Sequence, residues 1–176
     1  MWNWSDTNEM HLEAARGWLE LGDHQSALHE LEDLTGLRRA QPDVLKLRLQ
    51  IYVLAGKWRN AYAIAEGLAR VLPNDPEIFV WRAQAARWMP GGGLSHALTV
   101  LLEVANDFPD DPSIPFRLAC YNCQMGNHAT AGSWLQIAFE AARRAKAEMK
   151  WLATALEEPD LKPLHKILAP ASRRLA

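Results

Sequence analysis

The chain has only two cysteines among its 176 residues and lacks any long run of apolar residues. Two cysteines are too few for a disulfide scaffold, so we expect the thiol-reducing cytoplasm as the setting. No uncharged apolar run approaches the ~18 residues of a membrane span, and residues 1–10 lack the basic and apolar regions of a secretory signal. The formal net charge of −2 gives no basic surface for nucleic acid. The sequence therefore predicts a cytoplasmic protein whose partner is neither a membrane nor a nucleic acid.

Alternation of apolar and polar residues, which would indicate strands, is missing over any useful length. Apolar residues instead recur at helical spacing, as in the stripe formed by Leu45, Leu49 and Tyr52. A second such run extends over residues 61–71 and ends just before Pro73. These patterns predict an all-α fold.

A glycine turn followed by a small residue recurs along the chain. The alanines of the four copies are separated by 34, 36 and 34 residues, and they are Ala27, Ala61, Ala97 and Ala131. The glycine turns are Gly22-Asp23, Gly56-Lys57, the inserted turn Pro90-Gly91-Gly92-Gly93, and Gly126-Asn127. Prolines keep the same register at Pro42, Pro76 and Pro112. We expect each turn to use the left-handed backbone that glycine tolerates, which gives helix pairs over about residues 8–41, 42–75, 76–111 and 112–145. Capping helices over about 146–168 would complete a single domain spanning 1–176.

The period, the glycine turn, the small residue after it and the closing proline resemble the tetratricopeptide repeat. The second repeat, over about residues 42–75, matches the motif best, with Tyr52, Gly56, Trp58, Ala61 and Pro73. Residues 118–126 and 158–164 are also similar to bacterial members of this family. The resemblance implies a right-handed superhelical solenoid of antiparallel helix pairs. In such a solenoid the first helix of each pair lines a concave groove that holds a peptide or helix of a partner protein.

The resemblance also implies which residues line the groove. By register they are Leu12, Arg16, Leu19 and Glu20, then Lys46, Gln50, Val53 and Leu54, then Val80, Gln84, Arg87 and Trp88, and finally Phe116, Cys120, Cys123 and Gln124. We expect Leu54, Trp88 and Phe116 to anchor the ligand, because aromatic side chains tend to carry binding energy. Trp18 and Trp58 fall at core positions of the repeat, whereas Trp88 does not. Some family members bind the acidic tails of chaperones through a cluster of Lys, Asn and Arg. That cluster is absent here, because the residue four positions after Lys46 is Gln50 rather than Asn. We therefore expect an apolar or amphipathic ligand.

The pair Cys120-x-x-Cys123 is the one sharp chemical pattern in the sequence. Three residues apart on a helix, both sulfurs would face one side and could form a dithiol or half of a zinc site. A redox motif of this type normally follows a strand, and a structural zinc site needs four ligands, so packing in a core or groove is favoured. The histidines and the run Glu30, Glu32 and Asp33 are expected to face solvent. No cofactor or metal is predicted.

Three functional hypotheses follow. The first is a non-enzymatic scaffold that binds a partner protein, and the second is a small cytoplasmic chaperone of the kind that serves secretion systems. The third is a thiol or metal protein that uses Cys120 and Cys123. An enzyme is disfavoured because no convergent set of titratable groups is visible. The oligomeric state is left open.

Overall fold

The computed structural model describes residues 4–166 and 168, and the side chains of 7–166 and 168. These residues form nine α-helices, two 3-10 helices and no strand, so the prediction of an all-α fold is confirmed for this part of the chain. The α-helices are α1 (Trp4–Glu20), α2 (His24–Asp33), α3 (Pro42–Leu54), α4 (Trp58–Val71), α5 (Pro76–Trp88), α6 (Leu94–Leu102), α7 (Ser113–Gln124), α8 (His128–Arg144) and α9 (Glu148–Glu157). A first 3-10 helix covers Gly36–Ala40, and a terminal 3-10 helix covers Pro159–Leu164.

The glycine turns have the predicted left-handed backbone. The φ angles of Gly22, Gly56 and Gly126 are 79°, 66° and 80°. After each of these glycines the next N–H donates to the carbonyl five residues back, as in Lys57 to Tyr52 at 2.8 Å. This bond, together with the one from the glycine N–H, closes a Schellman motif that satisfies the last carbonyls of the helix. The four repeat alanines are fully buried, which lets the paired helices approach closely.

Prolines begin α3 and α5 in the predicted way. Pro42 and Pro76 occupy the first helical position, where a missing N–H costs nothing. Pro112 differs, because it lies one residue before α7, and Asp111 accepts a bond from the Ser113 backbone N–H at 2.8 Å. The closing proline of the third repeat would be Pro109 by register, but α6 ends well before it, at Leu102.

The chain divides into two compact units, Met1–Gly91 and Gly92–Ala176. The boundary falls inside the inserted glycine turn, so the predicted third repeat contributes α5 to the first unit and α6 to the second. The superhelical solenoid and the single domain stay predictions.

The first unit is organised around α3, which contacts α1, α2, α4 and α5. Its core contains two clusters of buried side chains, one around Leu31 and Ile51 and the other around Leu68 and Ile78. Each face of α3 contributes to a different cluster, with Ile51 in the first and Leu49 in the second. This arrangement explains why α3 carries apolar residues in two adjacent stripes.

The second unit is organised around α7, which contacts α6, α8 and the terminal 3-10 helix. The buried residues of α7 are Ile114, Pro115, Phe116, Leu118, Ala119, Cys120, Tyr121, Asn122 and Cys123. The buried amide of Asn122 donates to the Leu118 carbonyl at 2.8 Å, so this polar side chain is satisfied within its own helix. Because α7 is covered on nearly every side, it has little surface left for another protein.

Candidate binding face

The groove residues predicted in the first unit lie on α1, α3 and α5, three helices of which the middle one contacts both others. Arg16, Gln50, Leu54 and Trp88 are exposed, as is Glu20. Leu19, Lys46, Val53, Val80, Gln84 and Arg87 are half-buried. Leu12 is buried against α2 and α3 in the core, so its assignment to a contact surface is wrong. With that exception, the residues of this predicted face are accessible within the first unit.

Contacts at both ends show that α1, α3 and α5 run in the same direction. Arg38 of the first 3-10 helix donates to Asp43, at the start of α3, at 2.8 Å and to Glu9, in the first half of α1, at 3.0 Å. Lys46, in the first turns of α3, donates to Asp75, the N-cap of α5, at 2.7 Å. The beginnings of the three helices are therefore neighbours. At the other ends, the Trp58 ring after α3 stacks on Trp88 of α5, and Asp23 after α1 lines the same cavity as Lys57 after α3, so the C-terminal ends lie near one another as well.

Large apolar side chains are exposed at these C-terminal ends. Trp18 and Leu21 lie at the end of α1, Leu54 at the end of α3 and Trp88 at the end of α5, with exposed fractions of 38%, 78%, 55% and 52%. We call these four residues the apolar rim. The prediction that Trp18 occupies a core position is wrong, because its ring lies at the surface and its indole N–H donates to Glu30 at 3.3 Å. The expected exposure of Trp88 is confirmed.

Trp88 is held in place although half of it is exposed. Its ring stacks on that of Trp58 with centroids 6.3 Å apart, and the Arg87 guanidinium lies over it at 4.4 Å. Trp58 is itself half-buried and begins α4, beside the glycine turn. An aromatic side chain that is already held in place by such contacts loses little conformational entropy when its exposed part binds another chain.

The cations of this face are already engaged by the chain itself. Lys46 lies 2.7 Å from Asp75 and 3.5 Å from Glu77, and the hydrogen bond with Asp75 raises the pKa of its ammonium. Arg16 lies 3.7 Å from Glu13, one turn away on the same helix. Arg38, nearby, holds the pKa of the Asp43 carboxyl below its usual range. Charge therefore gives this face no strong attraction for an acidic ligand.

The groove residues predicted in the second unit lie mostly in its core. Phe116 is only 2% exposed and contacts the Trp151 ring at 5.1 Å, and Cys120 and Cys123 are also buried. Gln124 is half-buried and hydrogen-bonds to Asp160. The expectation that Phe116 anchors a ligand is wrong, and so is the placement of Cys120 and Cys123 on a contact surface.

The terminal 3-10 helix is the reason for this difference, because it packs on α7 where the sequence predicts open groove wall. Arg117 donates to Glu158 at 3.1 Å, and Leu161 and Leu164 are buried beside them. The sequence shows the terminal segment as a cap, but its spacing does not reveal which face of the last helix pair it covers.

The two thiols are poorly suited to chemistry. Burial raises the pKa of Cys120 far above that of an ordinary thiol, and it also raises the pKa of Cys123. Since the thiolate is the reactive and metal-binding form, both residues are better explained as core packing. This argues against the third functional hypothesis.

Comparisons with known proteins leave the family open: no family model matches the chain, and no curated protein is significantly similar to it. Among the described residues, no helix combines the length and apolar character needed to cross a membrane.

Proposed function

We propose that the chain is a tetratricopeptide-like interaction module, active in the cytoplasm without catalysis, that binds an apolar or amphipathic segment of a partner protein. The helix pairs are proposed to stack as a right-handed solenoid, with α1, α3 and α5 as the wall that meets the ligand. What supports the proposal locally is the repeated Schellman turn with a buried alanine after it, found in three helix pairs.

The observation that carries the binding site is the apolar rim, since four large apolar side chains are exposed at the C-terminal ends of three adjacent helices. A group of this kind, bordered by the polar residues Gln50 and Arg87, is typical of a protein contact. The ion pairs of Lys46 favour an apolar ligand over an acidic tail. Trp88 is the central anchor, because its stack on Trp58 fixes it in position.

Affinity capture with rim variants tests this proposal. We expect Leu54→Ala combined with Trp88→Ala to weaken capture of the partner from the native host by about tenfold or more, as loss of a hot spot does. The matched control is Val71→Ala, an equally exposed apolar residue on α4, which should leave capture unchanged. Circular dichroism should be the same for all variants.

Equal capture by the rim variant and the control would contradict the proposed face. Photo-crosslinking from position 88 but not from position 71 would identify the bound segment directly. The identity of that partner also separates the two remaining hypotheses, since an exported protein is expected for a secretion chaperone and not for a general scaffold.

A further inference from the structure

A group of metal-binding side chains joins α1 to α2 next to Trp18 of the apolar rim, and the proposed function assigns these side chains no role. His11 of α1 and Glu30 and Asp33 of α2 each offer one ligand atom, and these atoms all lie within 4.8 Å of one another. We propose that His11, Glu30 and Asp33 form a zinc site that fastens α1 to α2. The expectation that these three residues simply face solvent is wrong for His11 and Glu30, which are half-buried.

The local geometry follows from the helix pairing. Glu30 and Asp33 are three residues apart on α2, so their carboxylates share one face of the helix. The tight turn at Gly22 folds α1 back on this face, and His11 Nδ1 lies 2.7 Å from Glu30 Oε2. Zinc binds imidazole nitrogen and carboxylate oxygen at roughly 2.0–2.2 Å. In the zinc-bound form the ion would take the place of the proton that His11 and Glu30 share, because a metal binds the neutral imidazole and releases that proton.

The surroundings resemble those of a metal site in two respects. Glu30 Oε1 accepts a hydrogen bond from the Trp18 indole N–H at 3.3 Å, which leaves Oε2 directed at His11. Such an outer hydrogen bond orients a ligating carboxylate. Asp33 is about half exposed, so an ion can enter from solvent and water can complete the coordination.

Two other groups bear on the site. His29 Nε2 lies 3.9 Å from Asp33 Oδ2, one turn away on α2, and is largely exposed. Cys120 and Cys123 belong to the second unit and are buried with raised pKa values, so they do not compete for zinc in the folded protein. Zinc bound by the native chain is therefore expected at the cluster on α1 and α2.

Calorimetric titration of the full chain with zinc chloride tests the proposal. We expect one saturable site per chain, and an increase in the midpoint of thermal unfolding that a chelator reverses, because an ion that binds only the folded state stabilises it. Asp33→Asn and His11→Ala should each weaken zinc binding by about tenfold or more. His128→Ala, which removes an exposed histidine on α8, should bind zinc as the unmodified chain does.

Trp18→Phe separates a metal site from an ordinary interhelical ion pair. It keeps all three ligands and removes only the hydrogen bond to Glu30, so it should weaken zinc binding while circular dichroism stays unchanged. The proposal is overturned if no saturable binding is detected. It is equally overturned if Asp33→Asn, an exposed substitution that leaves the fold intact, binds zinc as tightly as the His128→Ala control.

Discussion

Two aromatic residues predicted for the same face, Phe116 and Trp88, occupy opposite environments. The Phe116 ring is enclosed by its own unit and touches Trp151, whereas half of Trp88 is in solvent. Truncating a fully buried phenylalanine costs about 3–5 kcal/mol, because a cavity remains. Removing the half-exposed Trp88 costs the burial of the other half of its ring and, in addition, about 1 kcal/mol for its stack on Trp58. Phe116 therefore contributes to stability, and Trp88 is the residue that remains available for binding.

Two glycines of the second helix pair test how much the backbone conformation contributes to the free energy of unfolding. Gly56 has a φ of 66°, a conformation that an L-residue adopts only with strain, so Gly56→Ala should lower the free energy of unfolding by about 1–2 kcal/mol. Gly67 lies within α4, and a Cβ added there meets nothing within 4 Å. Gly67→Ala should therefore raise the free energy of unfolding by about 0.5–1 kcal/mol.

Urea denaturation of the two variants measures both effects. The opposite signs form the control, since the two substitutions add the same methyl group to the same helix pair. If Gly56→Ala caused no loss of stability, the turn geometry would not be what requires glycine at position 56. A loss of stability in Gly67→Ala would contradict the expectation that the helix at position 67 accepts a methyl group.

At the scale of elements, the terminal 3-10 helix determines how much of the surface of α7 is accessible to a ligand. Leu161 and Leu164 are buried, and the segment joins α7 through Arg117 to Glu158 and through Gln124 to Asp160. It thereby occupies the part of α7 that the repeat register assigns to a ligand. A ligand that binds this part of α7 would first require the segment to leave.

Thiol reactivity reports whether the segment covers α7. In the unmodified chain Cys120 and Cys123 should react with an aromatic disulfide reagent only after denaturation, because both are buried. Leu161→Ala should loosen the segment, at a cost of about 2–5 kcal/mol, and should make the thiols react in the folded protein. Lys162→Ala, at the exposed neighbouring position, should leave them protected. Fast reaction of the unmodified chain would contradict the burial of both cysteines.

The sequence predicted the positions of the helices better than the contacts that bury their side chains, and the reason is physical. The glycine turns, the capping prolines and the small alanines act over a few residues, so their spacing is sufficient to locate α1 to α8. The buried Phe116 ring contacts Trp151, which lies 35 positions further on in the sequence (151 − 116), and no local pattern encodes that contact. The pairing of His11 with Glu30 was missed for the same reason, although the helix-pair prediction places α1 against α2 and offered a signal.

At the scale of the whole molecule, the inserted turn at residues 90–93 lies at the boundary of the two compact units. A stacked repeat array is stabilised by contacts between neighbouring units, so a defect in one repeat lowers the stability of the next. Two independent units would each keep their own stability. The proposed solenoid therefore makes a prediction that does not depend on knowing the partner.

Hydrogen exchange of the full-length Phe116→Ala variant distinguishes these cases. The substitution removes a buried ring from the second unit, and α7 and α8 should exchange faster by an amount that reflects a loss of about 3–5 kcal/mol. If the helix pairs form one stack, α5 of the first unit should also exchange faster, whereas α1, the most distant helix in the proposed order, should change least. If peptides from α5 keep the rates of the unmodified chain while those from α7 accelerate, the two units are energetically independent and the continuous solenoid is wrong.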